Sequence, residues 1–270
     1  MSEADPRTAQ LAENLAGVRE RIARAARAAG RDPSTVALVA VTKFFPAADV
    51  LRLAALGITD VGENREQEAA AKAADVAGLA DLAARTGVDG PTGDRPPRGA
   101  AGAVAVDALR WHMIGQLQTN KARAVVRWAS TVQSVDRPKL VTALSRAAAD
   151  AGREVDCLVQ VDLDPAGVDP AGQGPGRGGA APAQVAALAG AVAEAAGLRL
   201  RGLMAVAPLG AEPGPAMEGL ARLHEQLRAD HPDASWLSAG MSGDLEAAVA
   251  VGATHVRIGS ALLGPRPSPV

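Results

Sequence analysis

The chain has 270 residues, 48% hydrophobic and 21% charged, which supplies material for a sizeable core and excludes disorder as the global state. Its 28 basic and 30 acidic residues leave a formal charge of −2 without a basic block, so the electrostatic footprint of a nucleic-acid partner is missing, and no run of about 18 apolar residues exists to cross a membrane. Cys157 is the single cysteine, which excludes an internal disulfide and a cysteine-rich metal site; with Glu3, Asp5 and Glu13 in place of an apolar signal core, the chain reads as cytoplasmic.

The first predicted element stands outside the pattern that follows. Between Asp5 and Ala29, Leu11, Leu15, Val18 and Ile22 recur at steps of four, three and four, one face of a helix, and Gly30 then Asp32-Pro33-Ser34 stop it and turn the chain. From there, short apolar runs alternate with alanine-rich amphipathic segments. The runs are Val36–Thr42, Ile58–Gly62, Arg110–Gly115, Thr131–Val135, Val155–Asp162, Leu200–Val206, Ser235–Ala239 and Thr254–Ile258, each followed by a helical pattern, the last a short one. Eight βα units predict an α/β fold, a single (β/α)8 TIM-type barrel with an extra N-terminal helix, forming one domain over residues 1–270. An open doubly wound sheet is the rival, but no Gly-x-Gly-x-x-Gly follows the first strand. Two intervals run long. Thr86–Gly102 holds five glycines and three prolines, and Asp164–Pro182 holds six glycines and four prolines, compositions that bury too little to offset ordering entropy, so both are expected as mobile insertions.

In such a barrel the chemistry sits beyond the C-terminal strand ends. Lys43 closes the almost wholly apolar first strand and precedes Phe44-Phe45-Pro46, surroundings that desolvate an amine and favour its neutral, nucleophilic form. Only four of the 28 basic residues are lysine, Lys43, Lys72, Lys121 and Lys139, so a lysine here stands where guanidinium could not do carbonyl chemistry. After the second strand, Asn64 with Gln67 resembles a capping box at a helix start. His112, between Trp111 and Met113, reads as a satisfied interior histidine, and Lys121 as a surface or ion-paired residue. His224 and His231 could share a helix face, yet no third ligand accompanies them, so a metal site is not expected. Leu237-Ser238-Ala239-Gly240-Met241-Ser242 follows strand seven and Arg257-Ile258-Gly259-Ser260 closes strand eight, small and hydroxyl residues at the usual phosphate position of barrel enzymes. One amine opposite one phosphate cradle suits a phosphorylated aldehyde, of which pyridoxal 5′-phosphate is the common one.

Six segments in this order carry a resemblance: Ala40-Val41-Thr42-Lys43, Gly62-Glu63-Asn64 with Gln67-Glu68, Trp111-His112-Met113-Ile114-Gly115 with Gln118 and Asn120-Lys121, Arg201-Gly202-Leu203-Met204, Leu237-Ser238 to Gly240-Met241-Ser242, and Val256-Arg257-Ile258-Gly259. Together they resemble the pyridoxal phosphate homeostasis protein family, from about Leu11 to Gly264. The resemblance implies an alanine-racemase-like barrel without that enzyme's β-rich domain. Lys43 would hold the cofactor as a Schiff base, Ser238, Gly259 and Ser260 would bind its phosphate, Asn64 and Met241 would line the pocket, and Arg257 would face the pyridine nitrogen. It also implies a monomeric protein that buffers the cofactor or delivers it to pyridoxal-phosphate-dependent apoenzymes, with no robust turnover. Alanine racemase uses a tyrosine as its opposite-face base, and this chain has no tyrosine. Two alternatives stay open: an amino-acid racemase using the same cofactor with His112 or a water as single base, and a cofactor-free Schiff-base sugar-phosphate aldolase with Asp136 or Asp162 as acid or base. Where the family often has tyrosine, this chain has Arg65, which in a first helical turn is expected to point into solvent.

Overall fold

A computed structural model describes residues 5–86, 106–164, 178–208, 210 and 212–266. Eight parallel strands run in sequence order around a closed barrel: β1 Ala37–Val41, β2 Asp60–Glu63, β3 Arg110–Met113, β4 Thr131–Val135, β5 Val155–Val161, β6 Leu198–Ala205, β7 Trp236–Ser238 and β8 His255–Ile258. Closure is made by β8 against β1, with Ala37 opposite His255 and Ala40 opposite Ile258. The helices described are α1 Pro6–Ala28, α2 Ala47–Ala55, α3 Glu66–Thr86, α4 Ala122–Trp128, α5 Pro138–Ala151, α6 Val185–Glu194, α7 Pro213–Asp230, α8 Leu245–Ala250 and α9 Ser260–Leu263. This is the architecture the alternation predicts, down to the short last helix, and every strand lies within two residues of its expected start.

The strands read as apolar because their outward faces are buried beneath the helices. Val61, Val132, Val159, Leu203 and Val256 are fully buried there. The inward face is different. Asp60, His112, Gln133, Ser238, His255 and Arg257 are buried inside the barrel, and all but His255, which bonds Thr254, are linked to one another. Gly202, at a φ of 146°, lets β6 and β7 approach, since a Cβ there would overlap the Trp236 carbonyl oxygen.

Helix α1 forms where the periodicity places it. Asp5 caps it by accepting from Arg7 N, Pro6 takes the first helical position, and Gly30 at a φ of 66° follows its end. Leu11, Leu15, Val18 and Ile22 are all buried against the barrel, contributing roughly 1.5–3 kcal/mol each before ordering costs. Polar contacts fix the register: Arg7 forks onto Asp49 of α2 at 2.7 Å and donates to the Leu263 carbonyl at 3.0 Å, and Asn14 donates to the Leu262 carbonyl at 2.9 Å. The helix thereby ties the first βα unit to the last.

Most of the two expected insertions, 86–102 and 164–182, lies outside the described residues. The described parts are ordered into the barrel wall. Helix α3 runs through Thr86, and Ala180 bridges Val161, donating to the Gln160 carbonyl at 2.7 Å while its own carbonyl accepts from Asp162 N at 2.9 Å. Among the described residues no helix is long and apolar enough to cross a membrane.

Candidate functional site at the C-terminal mouth of the barrel

Lys43 leaves the top of β1 in a tight turn, where Phe45 N donates to the Thr42 carbonyl at 3.0 Å. Phe44 sits in that turn at a φ of 72°, the one non-glycine residue with positive φ among the described residues, a conformation that a bulky side chain holds only at a cost of about 1–2 kcal/mol. The Lys43 amine is half-buried. Desolvation pushes its pKa down, the Arg266 guanidinium pushes the same way, and the Glu63 carboxylate opposes them. Its Nζ lies 6.0 Å from the centre of the Phe44 ring, and Arg266 lies 4.6 Å from the same ring. The direction of that shift is the one the strand-end argument expects.

The adjoining wall comes from β8, paired with β1, and from β7 beyond it. Arg257 is buried, donating to Ser238 Oγ at 2.8 Å and to the Ala205 carbonyl at 2.7 Å. Both acceptors are neutral, and burial pushes the guanidinium pKa down to about 10 with Asp244 opposing. A buried cation bonded only by neutral groups favours an added acceptor or anion beside it. Gly240, at a φ of 90°, accepts from Arg257 N at 2.9 Å and so joins the two loops; a Cβ there would lie 2.8 Å from that of Ala248. Beyond β8, Gly259 caps α9 and packs its Cα against the Val41 backbone, where a Cβ would stand 3.4 Å from the carbonyl oxygen. Ser260, first residue of α9, is exposed.

The seven nominated residues thus fall on one continuous arc, β7–β8–β1–β2. Their individual placements refine the expectation. Ser238 is buried and its hydroxyl donates downward to Gln133 Oε1 at 2.7 Å. Met241 N donates to Asp244 Oδ1 at 2.7 Å, while its side chain, 39% exposed, stands at the rim with Phe44, 41% exposed. Asn64 is half-buried beyond β2, overlaid by the turn at Gly115, where any Cβ would overlap the Asn64 carbonyl. It does not cap α3. That helix starts at Glu66 and its first bond runs from Ala69 N to the Arg65 carbonyl, so Arg65 holds the cap position, with its side chain exposed and paired to Glu68 at 2.8 Å.

Sequence reasoning missed the chain of bonds beneath Arg257. Ser238 passes to Gln133, whose Nε2 donates to His112 Nδ1 at 2.9 Å, and His112 Nε2 donates to Asp60 Oδ1 at 2.9 Å. Arg110 forks onto Asp60 at 2.7 and 2.8 Å. Burial would raise the Asp60 pKa, but the His112 and Arg110 hydrogen bonds outweigh it and hold the carboxyl far below its usual range. His112 is satisfied as expected. Lys121 pairs with Glu66 at 3.5 Å, and His224 Nε2 meets the Ala234 carbonyl at 3.0 Å. Also missed was the Glu63–Lys72 pair behind β1, at 2.6 Å.

The residues fit a phosphorylated aldehyde: an amine whose pKa is lowered by desolvation, a buried guanidinium lacking an anionic partner among the described residues, and glycine turns that admit close backbone approach. The family model described as the alanine racemase N-terminal domain matches residues 13–267. The pyridoxal phosphate homeostasis protein of Mycobacterium tuberculosis is 44% identical over 269 residues, covering 96% of this chain and 94% of that one. The protein of the same name from Pseudomonas aeruginosa is 41% identical, covering 95% and 96%. Among solved structures, PipY of Synechococcus elongatus with pyridoxal phosphate bound is 33% identical, with a TM-score of 0.71 over 94% of this chain and 100% of that one. Alanine racemase of Corynebacterium glutamicum, 15% identical, shares the barrel, with a TM-score of 0.61 over 96% of this chain and 61% of its own. By the extent of the family match and the identity to these relatives, the chain belongs to the pyridoxal phosphate homeostasis protein family, built on the barrel of the alanine racemase N-terminal domain.

Proposed function

We propose that the protein, acting over residues 1–270 as one binding domain, holds pyridoxal 5′-phosphate covalently through Lys43 and buffers or delivers it without robust turnover. The observation that carries this reading is the placement of a half-buried amine, its pKa lowered by desolvation, on the strand adjoining the one that carries Arg257 and the Gly259–Ser260 turn. When bound, the cofactor supplies an aldehyde to the amine and a ring able to withdraw electrons. Lys43 Nζ serves as the nucleophile, the backbone at Ser238 and Gly259 with Ser260 holds the phosphate, and Asn64 and Met241 line the sides. Arg257 meets the pyridine nitrogen, where a fixed cation disfavours protonation and makes the ring a poorer electron sink.

Holding is favoured over conversion by the state of the acid–base candidates. Both ring nitrogens of His112 are engaged deep in the barrel, which removes the single-base racemase route through that residue. Asp136 bonds Arg137 and Asp162 accepts from Asp164 N at 3.0 Å, the loop-capping roles that compete with aldolase chemistry. The exposed rim at Phe44 and Met241 gives an acceptor amine or apoenzyme access to Lys43. A monomer in the cytoplasm is the setting that fits, with the lone thiol of Cys157 buried and its pKa pushed well up by that burial.

The test is the visible spectrum of the purified protein before and after borohydride, with peptide mapping of the reduced adduct. A yellow band that bleaches, with a pyridoxyl group on the Lys43 peptide that is lost in Lys43→Ala, is the expected result. A colourless protein that takes up no added pyridoxal phosphate would overturn the reading and bring the aldolase forward; sustained amino-acid racemisation lost in Lys43→Ala would bring the racemase forward.

A further inference from the structure

Behind the Lys43 turn lies a second charged group with no part in the arc described above. Glu63, the last residue of β2, is fully buried. Its Oε1 accepts from Thr42 Oγ1 at 2.7 Å and from Lys72 Nζ of α3 at 2.6 Å. Lys72 Nζ also donates to the Thr42 carbonyl at 2.8 Å. Thr42 is therefore gripped twice, by its hydroxyl and by its carbonyl, and that carbonyl belongs to the peptide that carries Lys43. Glu63 Oε2 is buried and has no hydrogen-bond partner among the described residues. A buried carboxylate with one oxygen unpaired is a net cost to folding, and an apolar pair of similar volume would pack the same space at less expense. Two of the four lysines of an arginine-dominated chain meet at this turn. A compact ammonium with three rotatable donors reaches a carbonyl and a carboxylate at once, where a planar guanidinium would need more room.

We propose that Glu63 and Lys72 are positioning residues for Lys43: together they clamp the Thr42–Lys43 peptide and aim the amine into the pocket. This rests on Lys43 being the anchoring amine. The charged groups acting on that amine come from three directions, Glu63 from β2, Lys72 through its bond to Glu63 from α3, and Arg266 from the C-terminal segment. The carboxylate stabilises the ammonium form of Lys43, and Lys72 offsets that carboxylate. Removing either partner therefore changes the amine in opposite senses, which a merely structural pair would not do.

The experiment is competitive labelling of the protein free of cofactor with trace acetic anhydride, reading the rate at the Lys43 peptide by mass spectrometry across pH. In Lys72→Met, Glu63 is left uncompensated, and the midpoint for Lys43 should move up by about half to one unit, lowering its labelling rate near neutral pH by about three- to tenfold. In Glu63→Gln the midpoint should move down, and in Lys72→Arg it should stay closer to wild type than in Lys72→Met. Thr42→Val, which keeps the volume and removes one hydroxyl, serves where a charge variant fails to fold, and should raise the midpoint as Lys72→Met does by leaving Glu63 less satisfied. Midpoints unchanged in folded variants, or both charge variants moving the same way, would overturn the proposal. The borohydride adduct is read on the same preparations. Flat midpoints with a pyridoxyl group on Lys43 sink the clamp alone, whereas opposed shifts with no uptake of pyridoxal phosphate sustain the clamp and sink the cofactor reading.

Discussion

Replacing His255 by phenylalanine isolates one buried proton site below Arg257. His255 opens β8, its ring stacked on Trp236 at 4.4 Å between centroids and its Nδ1 at 2.8 Å from Thr254 Oγ1. Burial, followed by the cationic neighbours Arg110 and Arg201 and the His112 ring, pushes its pKa down to about 3, with Asp60 opposing, so the folded protein keeps it neutral where an unfolded chain would protonate it near 6.5. A lowered folded pKa means that the stability it confers is fully present above about pH 6.5 and is lost as the pH falls toward 3. Each unit is worth about 1.4 kcal/mol once the unfolded chain is protonated, so between about pH 6.5 and 4.5 the wild-type protein should lose about 2 kcal/mol through this residue alone. Asp60 does not interfere, because its folded pKa also lies below the normal value and its contribution fades only at stronger acidity. The assay is urea unfolding at the two pH values in wild type and His255→Phe, a variant that keeps the aromatic stack. Any constant offset cancels in the difference. The neutral, buried His224 titrates alike in both proteins and cancels as well. A variant that loses as much stability as wild type over this interval would refute the argument, since the acid sensitivity would then belong to other groups.

Other consequences follow from packing and closure. Gly202→Ala would force the β6 and β7 backbones apart where three register pairs join them, Gly202 with Trp236, Leu203 with Leu237 and Met204 with Ser238. A loss of more than about 4 kcal/mol or failure to accumulate as folded protein is expected, and a soluble variant within about 1 kcal/mol of wild type in urea unfolding would contradict the close approach. Asp49→Ala removes the buried carboxylate shared by Arg7 and Arg52. Because Arg7 is partly exposed and Arg52 keeps its bond to Asp5, a cost of about 2 kcal/mol is expected, with faster proteolytic cutting near α1 as the second readout. Unchanged cutting would mean that the apolar face of α1 suffices to hold it.

The barrel was legible because helix-facing strand positions such as Val61, Val132 and Val256 stay apolar whatever lies on the other face. The inner face was not. A glutamine at 133 or an aspartate at 60 has no local signature, since its partners, Ser238 and His112, stand on strands far away in sequence. Lys43, Gly259 and Ser260 were readable because strand ends in such a barrel face the pocket by construction and a scarce lysine stands out among arginines. The Glu63–Lys72 pair was not, because Glu63 looked like one acid in a helix start, and only the return of α3 over β1 brings Lys72 to Thr42. Asn64 was misjudged as a cap by the same local pattern: the helix begins one residue later, at Glu66, and the Asn64 backbone packs against the Gly115 turn.

The strand that offers Lys43 is the first of the barrel, and the strand that offers Arg257 is the last, paired directly with it. During synthesis Lys43 therefore emerges early, more than 200 residues before Arg257 and the Gly259 turn that come to stand beside it. Helix α1 completes the same seam by bonding the carbonyls of Leu262 and Leu263. A molecule cut short before His255 keeps Lys43 but lacks the strand against which β1 closes the barrel. On the reading proposed above, the cofactor can be held only once the fold is complete, so a loaded molecule is a finished one.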